Sequence, residues 1–559
     1  MSSVSVPVYE ALALQLKAWG VKRVFGLMSD DTAAFVATID AVGIRFVSAR
    51  HENNAVAMAE GYAAATNQVG VVIIGRGPAT TNAMNGVNYA NKSGSPVLMI
   101  FGDSPNAQKA PNAVGPDRKH IDAQAILSGA GVPTFQPTSG SSAVEMFRQA
   151  YQQSLQGACA YLIPANVQKA IVDFEADTSA LGVGRKAFGA ARASAIAAAV
   201  ELLKKAKAPL FVLGQGVHKS GAEGAVIALG DKLGAAFVST LKAKDVAKGH
   251  PYDLGLLGSF SNAGGRRLIE QADCVVAIGA SMNQQTTSWE AALPCDVPVL
   301  QIDGVRTNIG RWYHADVALV GDVAAVVDQL SQKLDERPVS DMVMRNQANT
   351  EWLQSFTLDQ DFQSLATPRT LDSRELSLAL DELLPANRNL VWDSGNMLGN
   401  VPYLSVAHPS HFKHTGDSAS IGMGFGVALG FAVGQPQHPT VLLLGDGSLL
   451  MTLGELETVV REDIPLVIVL MNDCAYGAEL HFLAQNNMSP DLSQFPDIDY
   501  APIAESFGFY AATIRTLDDL KRHSEVLANP EYPIFLDCKI NASFVAPFLL
   551  ESLQVAKPK

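Results

Sequence analysis

The chain lacks paired cysteines of the CxxC type, and its five cysteines are scattered over 559 residues. Their spacing indicates neither a zinc site nor a disulfide framework, and it is typical of reduced thiols in the cytoplasm. No block rich in lysine and arginine occurs, and the formal net charge is −14. This charge argues against nucleic acid or an anionic membrane surface as a partner.

Long apolar runs are also missing. No stretch approaches the roughly 20 apolar residues that cross a bilayer, and the first eight residues lack a basic segment followed by an apolar one. We therefore expect a soluble, cytoplasmic protein with no membrane partner. The apolar content of 48% is enough for about three domains, each with its own core.

Three segments of the chain each show apolar runs of strand length that alternate with segments of helical period. We predict an α/β protein with three doubly wound, Rossmann-like domains and mainly parallel sheets, at 1–172, 187–331 and 365–545. The stretch at 173–185 is predicted to be a connector, and the polar stretch at 332–363 a linker with some helix. The predicted strands include Val21–Phe25, Arg45–Ser48, Gly70–Ile74, Pro96–Phe101, Leu210–Leu213, Cys274–Ile278, Val299–Ile302, Val441–Leu444 and Ile464–Met471.

The third segment has acidic residues at the ends of two successive strands. Gly445-Asp446-Gly447-Ser448 follows one apolar run, and Asn472-Asp473 ends the next. Because ligands collect beyond the carboxyl ends of parallel strands, both carboxylates should face one crevice. Side-chain oxygens and a loop carbonyl suit Mg²⁺, and phosphate oxygens can complete its octahedron. The sequence therefore predicts a site for a divalent cation and a diphosphate.

These motifs closely resemble the thiamine diphosphate motif of the 2-oxoacid decarboxylase and acetohydroxyacid synthase superfamily. The resemblance covers nearly the whole chain and implies a pyrimidine-binding, a central and a diphosphate-binding domain, in that order. It implies thiamine diphosphate and Mg²⁺ as cofactors, with Asp446, Asp473 and the Ala475 carbonyl as metal ligands. Asp473 stands where the family usually has asparagine, so a charged ligand replaces a neutral one. The cofactor contacts implied in this region are Gly445, Asp446, Gly447, Ser448, Asp473, Ala475, Tyr476 and Gly477.

The first segment holds the residue that matches the family's essential glutamate. Glu52 opens an alanine-rich helix and, by the resemblance, would hydrogen-bond the aminopyrimidine ring and assist proton removal from the cofactor. From the residues alone, it could be a surface glutamate in a first helical turn, where it complements the helix dipole. The turn at 77–82 resembles the family segment near the aminopyrimidine, which implies a cofactor contact or a helix-capping role for Asn82.

Four further residues are candidates for catalytic roles. Asp30 falls where pyruvate decarboxylases keep a catalytic aspartate, or it caps a helix that starts near Thr32. His120 is a candidate acid or base, or a solvated loop residue. Glu479 aligns with a glutamate of pyruvate decarboxylases, and His481 is the other candidate in that helix. Both could instead be solvated helix residues.

Asn396 and Met423 are the remaining cofactor contacts that the resemblance implies. Met423 matches the bulky apolar residue on which the family folds thiamine into a V shape, although it could be an ordinary core methionine. Gly75 stands where benzoylformate decarboxylases place an active-site histidine. This departure weakens the simplest decarboxylase assignment.

The central segment has glycine turns at 214–216 and 279–281. They resemble the turns by which acetohydroxyacid synthases and pyruvate oxidases hold FAD. The charged stretch expected after the second turn is replaced by Met282-Asn283-Gln284-Gln285. FAD is therefore the less favoured cofactor.

The resemblance implies an enzyme that acts on a small 2-oxoacid or another carbonyl substrate. We predict decarboxylation to an aldehyde, or transfer of the acyl unit to a second carbonyl compound. The alternatives are a flavin-containing acetohydroxyacid synthase or pyruvate oxidase-like enzyme, and a cofactor-binding homologue without turnover. The family pairs the first domain of one subunit with the third of another, which predicts a homodimer at minimum and a homotetramer as the full assembly.

Overall fold

A computed structural model describes residues 4–106, 117–179 and 189–555. In these ranges the chain forms three six-stranded parallel sheets flanked by helices, which confirms the predicted fold class. Each predicted strand is present, with its ends within two residues of the predicted ones. The predicted connector at 173–185 and the first residues of the predicted central domain fall partly outside the described residues.

The described part of the first domain contains eight strands. They are β1 (Val4–Pro7), β2 (Arg23–Gly26), β3 (Arg45–Ser48), β4 (Gly70–Ile74), β5 (Val97–Asp103), β6 (Thr134–Phe135), β7 (Cys159–Pro164) and β8 (Ile171–Phe174). The helices are α1 (Val8–Ala18), α2 (Ala33–Ala41), α3 (Glu52–Thr66), α4 (Pro78–Asn82), α5 (Met84–Ser93), α6 (Ala123–Gly129), α7 (Gly140–Ser154) and α8 (Ala165–Gln168). The parallel sheet has the order β3-β2-β4-β5-β7-β6, and β1 pairs with β8 in an antiparallel ribbon.

The central domain has the strand order of a dinucleotide-binding fold. Its strands are β9 (Pro209–Leu213), β10 (Ala236–Ser239), β11 (Asp253–Leu256), β12 (Cys274–Ile278), β13 (Val299–Asp303) and β14 (Val317–Val320). Its helices are α9 (Ala193–Lys205), α10 (Gln215–Ser220), α11 (Glu223–Leu233), α12 (Ala263–Ile269), α13 (Gln284–Thr287) and α14 (Val323–Ser331). The order β11-β10-β9-β12-β13-β14 places the topological switch point between β9 and β12.

The polar stretch at 332–363, predicted to be a linker with some helix, packs on the central domain. Met344 is fully buried, and the guanidinium of Arg345 donates to the Ala235 carbonyl at 2.6 Å. The helix α15 (Gln347–Ser355) follows, and its Trp352 indole donates to the Gly264 carbonyl at 3.1 Å. Structure belonging to this domain therefore continues beyond the predicted boundary at 331.

The third domain completes the chain. Its strands are β15 (Asn389–Trp392), β16 (Phe412–His414), β17 (Thr440–Gly445), β18 (Leu466–Asn472), β19 (Tyr510–Ile514) and β20 (Ile534–Lys539), in the order β16-β15-β17-β18-β20-β19. Its helices are α16 (Ser373–Leu383), α17 (Met423–Gly434), α18 (Asp446–Thr452), α19 (Glu455–Arg461), α20 (Gly477–Gln485), α21 (Ala501–Phe507), α22 (Leu517–Lys521), α23 (Ser524–Ala528) and α24 (Pro547–Val555).

Short 3₁₀ helices occur in the central and third domains. They lie at Leu241–Ala243, Gly258–Phe260, Arg306–Asn308, Val339–Asp341, Val343–Arg345, Leu358–Asp361, Asn396–Tyr403, Pro409–His411 and Asp491–Ser493. Across the described ranges, no helix combines the length and the apolarity that a membrane crossing requires.

The first and third domains meet through α3 and α17, and glycines set the distance between these helices. A Cβ atom on Gly61 of α3 would lie 2.2 Å from the Val427 carbonyl oxygen. A Cβ atom on Gly430 of α17 would lie 1.9 Å from the Met58 carbonyl oxygen. Both distances are shorter than any real carbon–oxygen contact, so the two backbones can approach this closely only without side chains at these positions.

The two helices run parallel within the same chain. Gly426, near the start of α17, faces Asn54 near the start of α3, and Gly434 at the end of α17 faces Ala65 at the end of α3. The first residues of both helices are therefore neighbours. The predicted site depends on this arrangement, because Glu52 begins α3 and Met423 begins α17.

A buried ion pair also joins the first and third domains. The Lys413 ammonium lies 2.5 Å from Oε1 of Glu60, which is fully buried in α3. The Ser95 hydroxyl donates to the same oxygen at 2.6 Å. A buried carboxylate needs such partners, because an unpaired charge in the interior costs several kcal/mol or more.

Replacing Gly430 by alanine tests the helix contact. We expect Gly430→Ala to lower the free energy of unfolding by about 3 kcal/mol, because the new methyl group would push against the Met58 backbone. Gly224→Ala is the control, since a Cβ atom there meets nothing within 4 Å and alanine is the better helix former. Chemical denaturation measures both. Equal stability of the two variants would contradict the close packing of α3 and α17.

Candidate active site

Two carboxyl groups meet at the carboxyl ends of the neighbouring parallel strands β17 and β18. Asp446 is buried at the start of α18, and Asp473 follows β18. Burial and then the adjacent Asp446 carboxylate raise the pKa of Asp473, and burial also raises the pKa of Asp446. A divalent cation with a preference for oxygen would offset this repulsion. The donor set therefore fits the Mg²⁺ that the sequence predicts here.

The turn after β18 selects which side chain faces Asp446. Cys474 adopts a left-handed conformation with φ of 56°, and the Ala475 amide donates to Oδ1 of Asp473 at 3.2 Å. Asn472 is directed elsewhere, since its amide donates to the Asp537 carboxylate at 2.9 Å. Asp473 is therefore the side chain that pairs with Asp446. Gly477 is required beside it, because a Cβ atom there would lie 2.5 Å from Oδ2 of Asp473.

The Gly445-Asp446-Gly447-Ser448 turn is open on one side and packed on the other. A Cβ atom on Gly445 would meet nothing within 4 Å, whereas one on Gly447 would lie 2.6 Å from the Tyr476 ring. Tyr476 packs edge-on against Phe495, with ring centroids 4.7 Å apart. Ser448 is buried beneath the turn. The open backbone at Gly445 leaves room for the diphosphate next to the two carboxyls.

Glu52 lies in the interior at the start of α3. Only 9% of the residue is exposed, and the Asn82 amide donates to its Oε2 at 3.2 Å. The alternative reading of Glu52 as a surface glutamate is therefore wrong. Met423 is also buried, and its sulfur lies 3.6 Å from the side-chain nitrogen Nδ2 of Asn53. The structure thus brings Glu52, Asn82 and Met423 into one region, from within a single chain.

This arrangement differs from the expectation that the first and third domains pair between subunits. The α3 and α17 helices pack against each other in one chain, so the two halves of the candidate site are already adjacent there. The glycines along both helices permit this close approach. The dimer and the tetramer stay predictions.

Two buried acids, Asp393 and Glu455, hold the candidate site in place, and neither is among the site residues predicted from the sequence. Asp393 accepts hydrogen bonds from the amides of Gly422 and Gly424, at 2.6 and 2.9 Å, and so fixes the turn that carries Met423. Glu455 accepts from the Arg50 amide at 2.9 Å and the Asn54 side chain at 3.0 Å.

The sequence contained a signal for one of these two acids. Asp393 follows an apolar strand in the same way as Asp446, and that shared pattern could have identified it. Glu455 sits inside a run of helical residues and carries no comparable signal. Its role depends on a contact between segments about 400 residues apart in the chain.

Asn396 and His481 hold the C-terminal segment. The Phe544 carbonyl accepts from the Asn396 amide at 2.7 Å and from Nε2 of His481 at 2.8 Å. Oδ1 of Asn396 accepts from the Ala546 amide at 2.8 Å. His481 is buried and not solvated, and this burial lowers its pKa. Both polar atoms of the Asn396 side chain and Nε2 of His481 are therefore engaged with the C-terminal segment.

Asp30 lies at the surface in an ion pair with Lys119. The hydrogen bond from Lys119 lowers the pKa of Asp30 to about 2, and 72% of the Asp30 side chain is exposed. This carboxyl is therefore ionised at neutral pH. The alternative capping role is wrong, because α2 begins at Ala33 with Thr32 as its N-cap.

His120 and Glu479 occupy different environments. In the described part of the chain, Nδ1 of His120 is buried and lacks a hydrogen-bond partner, so His120 is not simply a solvated loop residue. The preceding residue, Lys119, packs against Gly77 at the start of the turn that carries Asn82. Glu479 is exposed on α20. The catalytic roles of both residues stay predictions.

The absence of a histidine at position 75 has a steric cause. A Cβ atom on Gly75 would lie 2.6 Å from the Ser29 Cβ atom. No side chain fits at this position without moving the loop that carries Asp30. The packing of the first domain therefore requires glycine at position 75, where benzoylformate decarboxylases have a histidine.

The glycine turns of the central domain pack against each other. The Gly214 amide donates to the Ile278 carbonyl at 2.9 Å, and the Gly216 amide to the Gly279 carbonyl at 3.0 Å. The Asn283 side chain is likewise engaged, because it caps α13 through the Thr286 amide. A cavity of 770 Å³ adjoins this switch point, and its lining includes Gly216, Gly279 and Ser281. The lower preference for FAD stays a prediction.

Three family models match successive parts of the chain. They are described as "Thiamine pyrophosphate enzyme, N-terminal TPP binding domain" for residues 7–126, "Thiamine pyrophosphate enzyme, central domain" for 196–330, and "Thiamine pyrophosphate enzyme, C-terminal TPP binding domain" for 393–538. Together they cover more than two thirds of the chain. The chain belongs to the thiamine pyrophosphate enzyme family.

Several curated members of this family align with almost the whole chain. A "probable acetolactate synthase large subunit" of Methanococcus aeolicus is 25% identical over 96% of this chain and 92% of the relative. A "probable 2-ketoarginine decarboxylase" of Pseudomonas aeruginosa is 27% identical, over 92% and 90%. A "probable sulfoacetaldehyde acetyltransferase" of Rhizobium meliloti is 26% identical, over 91% and 89%. The family thus supports thiamine diphosphate as the cofactor and decarboxylase or acyl-transfer chemistry.

The carboxyl pair predicts how pH and Mg²⁺ change the stability of this thiamine pyrophosphate enzyme. Folding raises the pKa of Asp446 and Asp473 above their usual value of 3.8. The metal-free folded state therefore binds more protons than the unfolded state, and its stability falls as the pH rises above about 4. We expect Asp473→Asn to stabilise the metal-free protein at neutral pH by about 1–3 kcal/mol, since one unit of pKa is about 1.4 kcal/mol.

Thermal unfolding with and without Mg²⁺, at mildly acidic and mildly alkaline pH, measures this effect. Mg²⁺ should stabilise the parent protein more at the higher pH, because the cation no longer has to displace protons. Asp518→Asn is the control, since Asp518 is exposed on α22. A metal-free Asp473→Asn variant that is less stable than the parent would contradict the repulsion between the two carboxyls.

Proposed function

We propose that the protein is an enzyme dependent on thiamine diphosphate and Mg²⁺ that decarboxylates a small 2-oxoacid. The acyl unit is then released as an aldehyde or passed to a second carbonyl compound. The observation that carries this proposal is the pairing of two groups: the buried Glu52 with Asn82, and the Asp446 carboxyl with Asp473. The family membership and the names of the relatives support it.

Each group has a defined task in this proposal. Asp446, Asp473 and the Ala475 carbonyl would hold Mg²⁺, which in turn binds the diphosphate. Bound thiamine diphosphate supplies a nucleophilic carbon and an electron sink. Glu52, oriented by Asn82, would hold a proton at the aminopyrimidine. Met423 would orient the two rings, since Asp393 fixes the turn on which it stands.

We assign proton transfer to and from the substrate to His120. Its Nδ1 atom is buried without a hydrogen-bond partner among the described residues, so it can bind a group that enters the site. His120 also follows Lys119, which packs on the turn that leads to Asn82. Asp30 is less suited to this role because it is ionised and exposed.

Replacing Glu52 by glutamine tests the assignment. Glutamine keeps the size of the side chain and its bond to Asn82 but cannot carry the proton. We expect Glu52→Gln to lower the rate of CO₂ release from a panel of 2-oxoacids by at least about 100-fold. Binding of thiamine diphosphate with Mg²⁺, measured by calorimetry, should persist, because the carboxyl pair is untouched. Glu201→Gln, at an exposed helical glutamate, is the control.

The same measurements separate the alternatives. Turnover by Glu52→Gln at the parent rate would refute the role of Glu52. Flavin absorbance in the purified protein would favour the oxidase or synthase branch instead. Cofactor uptake by the parent protein with no product from any 2-oxoacid, alone or with an acceptor aldehyde, would favour a homologue without turnover.

The surface of the third domain supports a homodimer. Large apolar side chains are exposed next to the candidate site: 57% of Met451 on α18 and 50% of Phe482 on α20. Leu450 on α18 is exposed as well. The helix α18 begins with Asp446, and α20 begins with Gly477. Exposed apolar groups concentrated in this way are typical of a surface that another protein covers.

Charge placed on this surface tests the assembly. We expect the parent protein to have at least twice the mass of one chain in light scattering. Met451→Glu combined with Phe482→Glu should shift the protein toward the mass of one chain, because burying two carboxylates opposes association. Val339→Glu, at an exposed apolar residue of the central domain, is the control. An unchanged mass for the double variant would place the interface elsewhere.

A further inference from the structure

Four of the eleven histidines of the chain form one connected cluster, away from the site described above. The His218 and His408 rings meet edge to face with centroids 4.8 Å apart. His408 is followed by His411 at 6.0 Å, and His411 by His438 at 4.5 Å. His218 belongs to the central domain and the other three to the third domain. The cluster therefore spans a domain boundary.

A carboxylate faces the first two histidines. Oε1 of Glu223 lies 3.0 Å from Nδ1 of His218 and 3.8 Å from Nε2 of His408. The potential ligand atoms of these three residues all lie within 4.8 Å of one another. Imidazole nitrogen with carboxylate oxygen is a donor set that suits Zn²⁺ and its neighbours in the transition series, whereas Mg²⁺ prefers oxygen alone.

The separations are close to those that a bound ion requires. Metal–ligand bonds of about 2.0–2.2 Å in a tetrahedron place the ligand atoms about 3.4 Å apart. The separations from Oε1 of Glu223 to the two histidines, 3.0 and 3.8 Å, lie on either side of that value, and all three ligand atoms lie within 4.8 Å of one another. Small side-chain rotations would therefore bring Glu223 and both histidines to one ion. Three protein ligands would leave a fourth position for water.

His408 presents one ring nitrogen to Ser410 and the other to Glu223. The Ser410 backbone amide donates to Nδ1 at 3.3 Å, so Nδ1 accepts and the proton of a neutral ring lies on Nε2, which faces Glu223. Coordination of an ion through Nε2 would move that proton to Nδ1, where the Ser410 hydroxyl, 2.7 Å away, can accept it. About half of the His408 side chain, 46%, is exposed, so an ion can enter from solvent.

We propose that His218, Glu223 and His408 form a site for a divalent transition-metal ion of the Zn²⁺ class. The ion links α10 and α11 of the central domain to the turn at residues 408–410 of the third domain. His218 also lines the 770 Å³ cavity, so the site lies at its rim. Occupancy would hold the two domains together at the mouth of this cavity.

Calorimetric titration of the full-length, chelator-treated protein with Zn²⁺ tests the proposal. Excess Mg²⁺ is present throughout to occupy oxygen-only sites, because it competes poorly for imidazole. We expect one Zn²⁺ per chain. His218→Ala, Glu223→Gln and His408→Ala should each weaken binding by at least about 100-fold, and Ser410→Ala by about 10-fold through the orientation of His408. Co²⁺ provides the second readout, since imidazole ligation produces visible absorbance bands that the variants should lose.

His314→Ala is the matched control, because His314 is an exposed histidine of the central domain that lies near the single carboxylate of Asp316. It should bind Zn²⁺ like the parent. Circular dichroism checks that each variant is folded. We expect His408→Ala to fold, because about half of the His408 side chain is exposed. No Zn²⁺ uptake by the parent, or uptake that all four variants retain, would overturn the proposal. Neither result bears on the role of Glu52 or the carboxyl pair.

Discussion

Contact between two glycine-rich helix faces sets the geometry on which the candidate active site depends. Where Gly61 and Gly430 bring α3 and α17 together, carbonyl oxygens occupy the space that methyl groups would need. Because the helices run parallel, their first residues share one end of the pair. Glu52 and Met423 come from positions 371 residues apart, yet they reach the same region through this packing. The positions of Glu52 and Met423 at the site therefore depend on the contact between the backbones of α3 and α17.

Buried acids carry the next level of organisation. Asp393 fixes the turn at the start of α17, and Glu455 fixes the backbone and the helix around Glu52. These carboxylates accept hydrogen bonds from backbone or amide groups, which is how an interior charge is stabilised. Asp446 and Asp473 differ from these two acids in their surroundings, because each of them faces another carboxyl group. Such a pair is stabilised by a bound cation, whereas Asp393 and Glu455 are stabilised by the hydrogen bonds through which they hold the fold together.

The sequence predicted the strands well, since buried parallel strands are short apolar runs ended by glycine or by an acid. The positions of Glu52, Asp446 and Asp473 followed from such strand ends and from a family resemblance. Asn396 and His481 were harder, because their bonds to Phe544 depend on where the C-terminal segment returns. The packing of the 332–363 stretch on the central domain was missed for a similar reason. The stretch is polar overall, so its composition does not indicate that Met344 is buried. That burial depends on contact with a neighbouring sheet.

The ion pair between Glu60 and Lys413 has a consequence for how the protein melts. Pulling the first domain away from the third would remove Lys413, the counter-ion of the buried Glu60 carboxylate at the centre of α3. Partial separation is therefore costly, and the two domains should lose their structure in one cooperative transition. The central domain has its own apolar core, and its transition can occur separately.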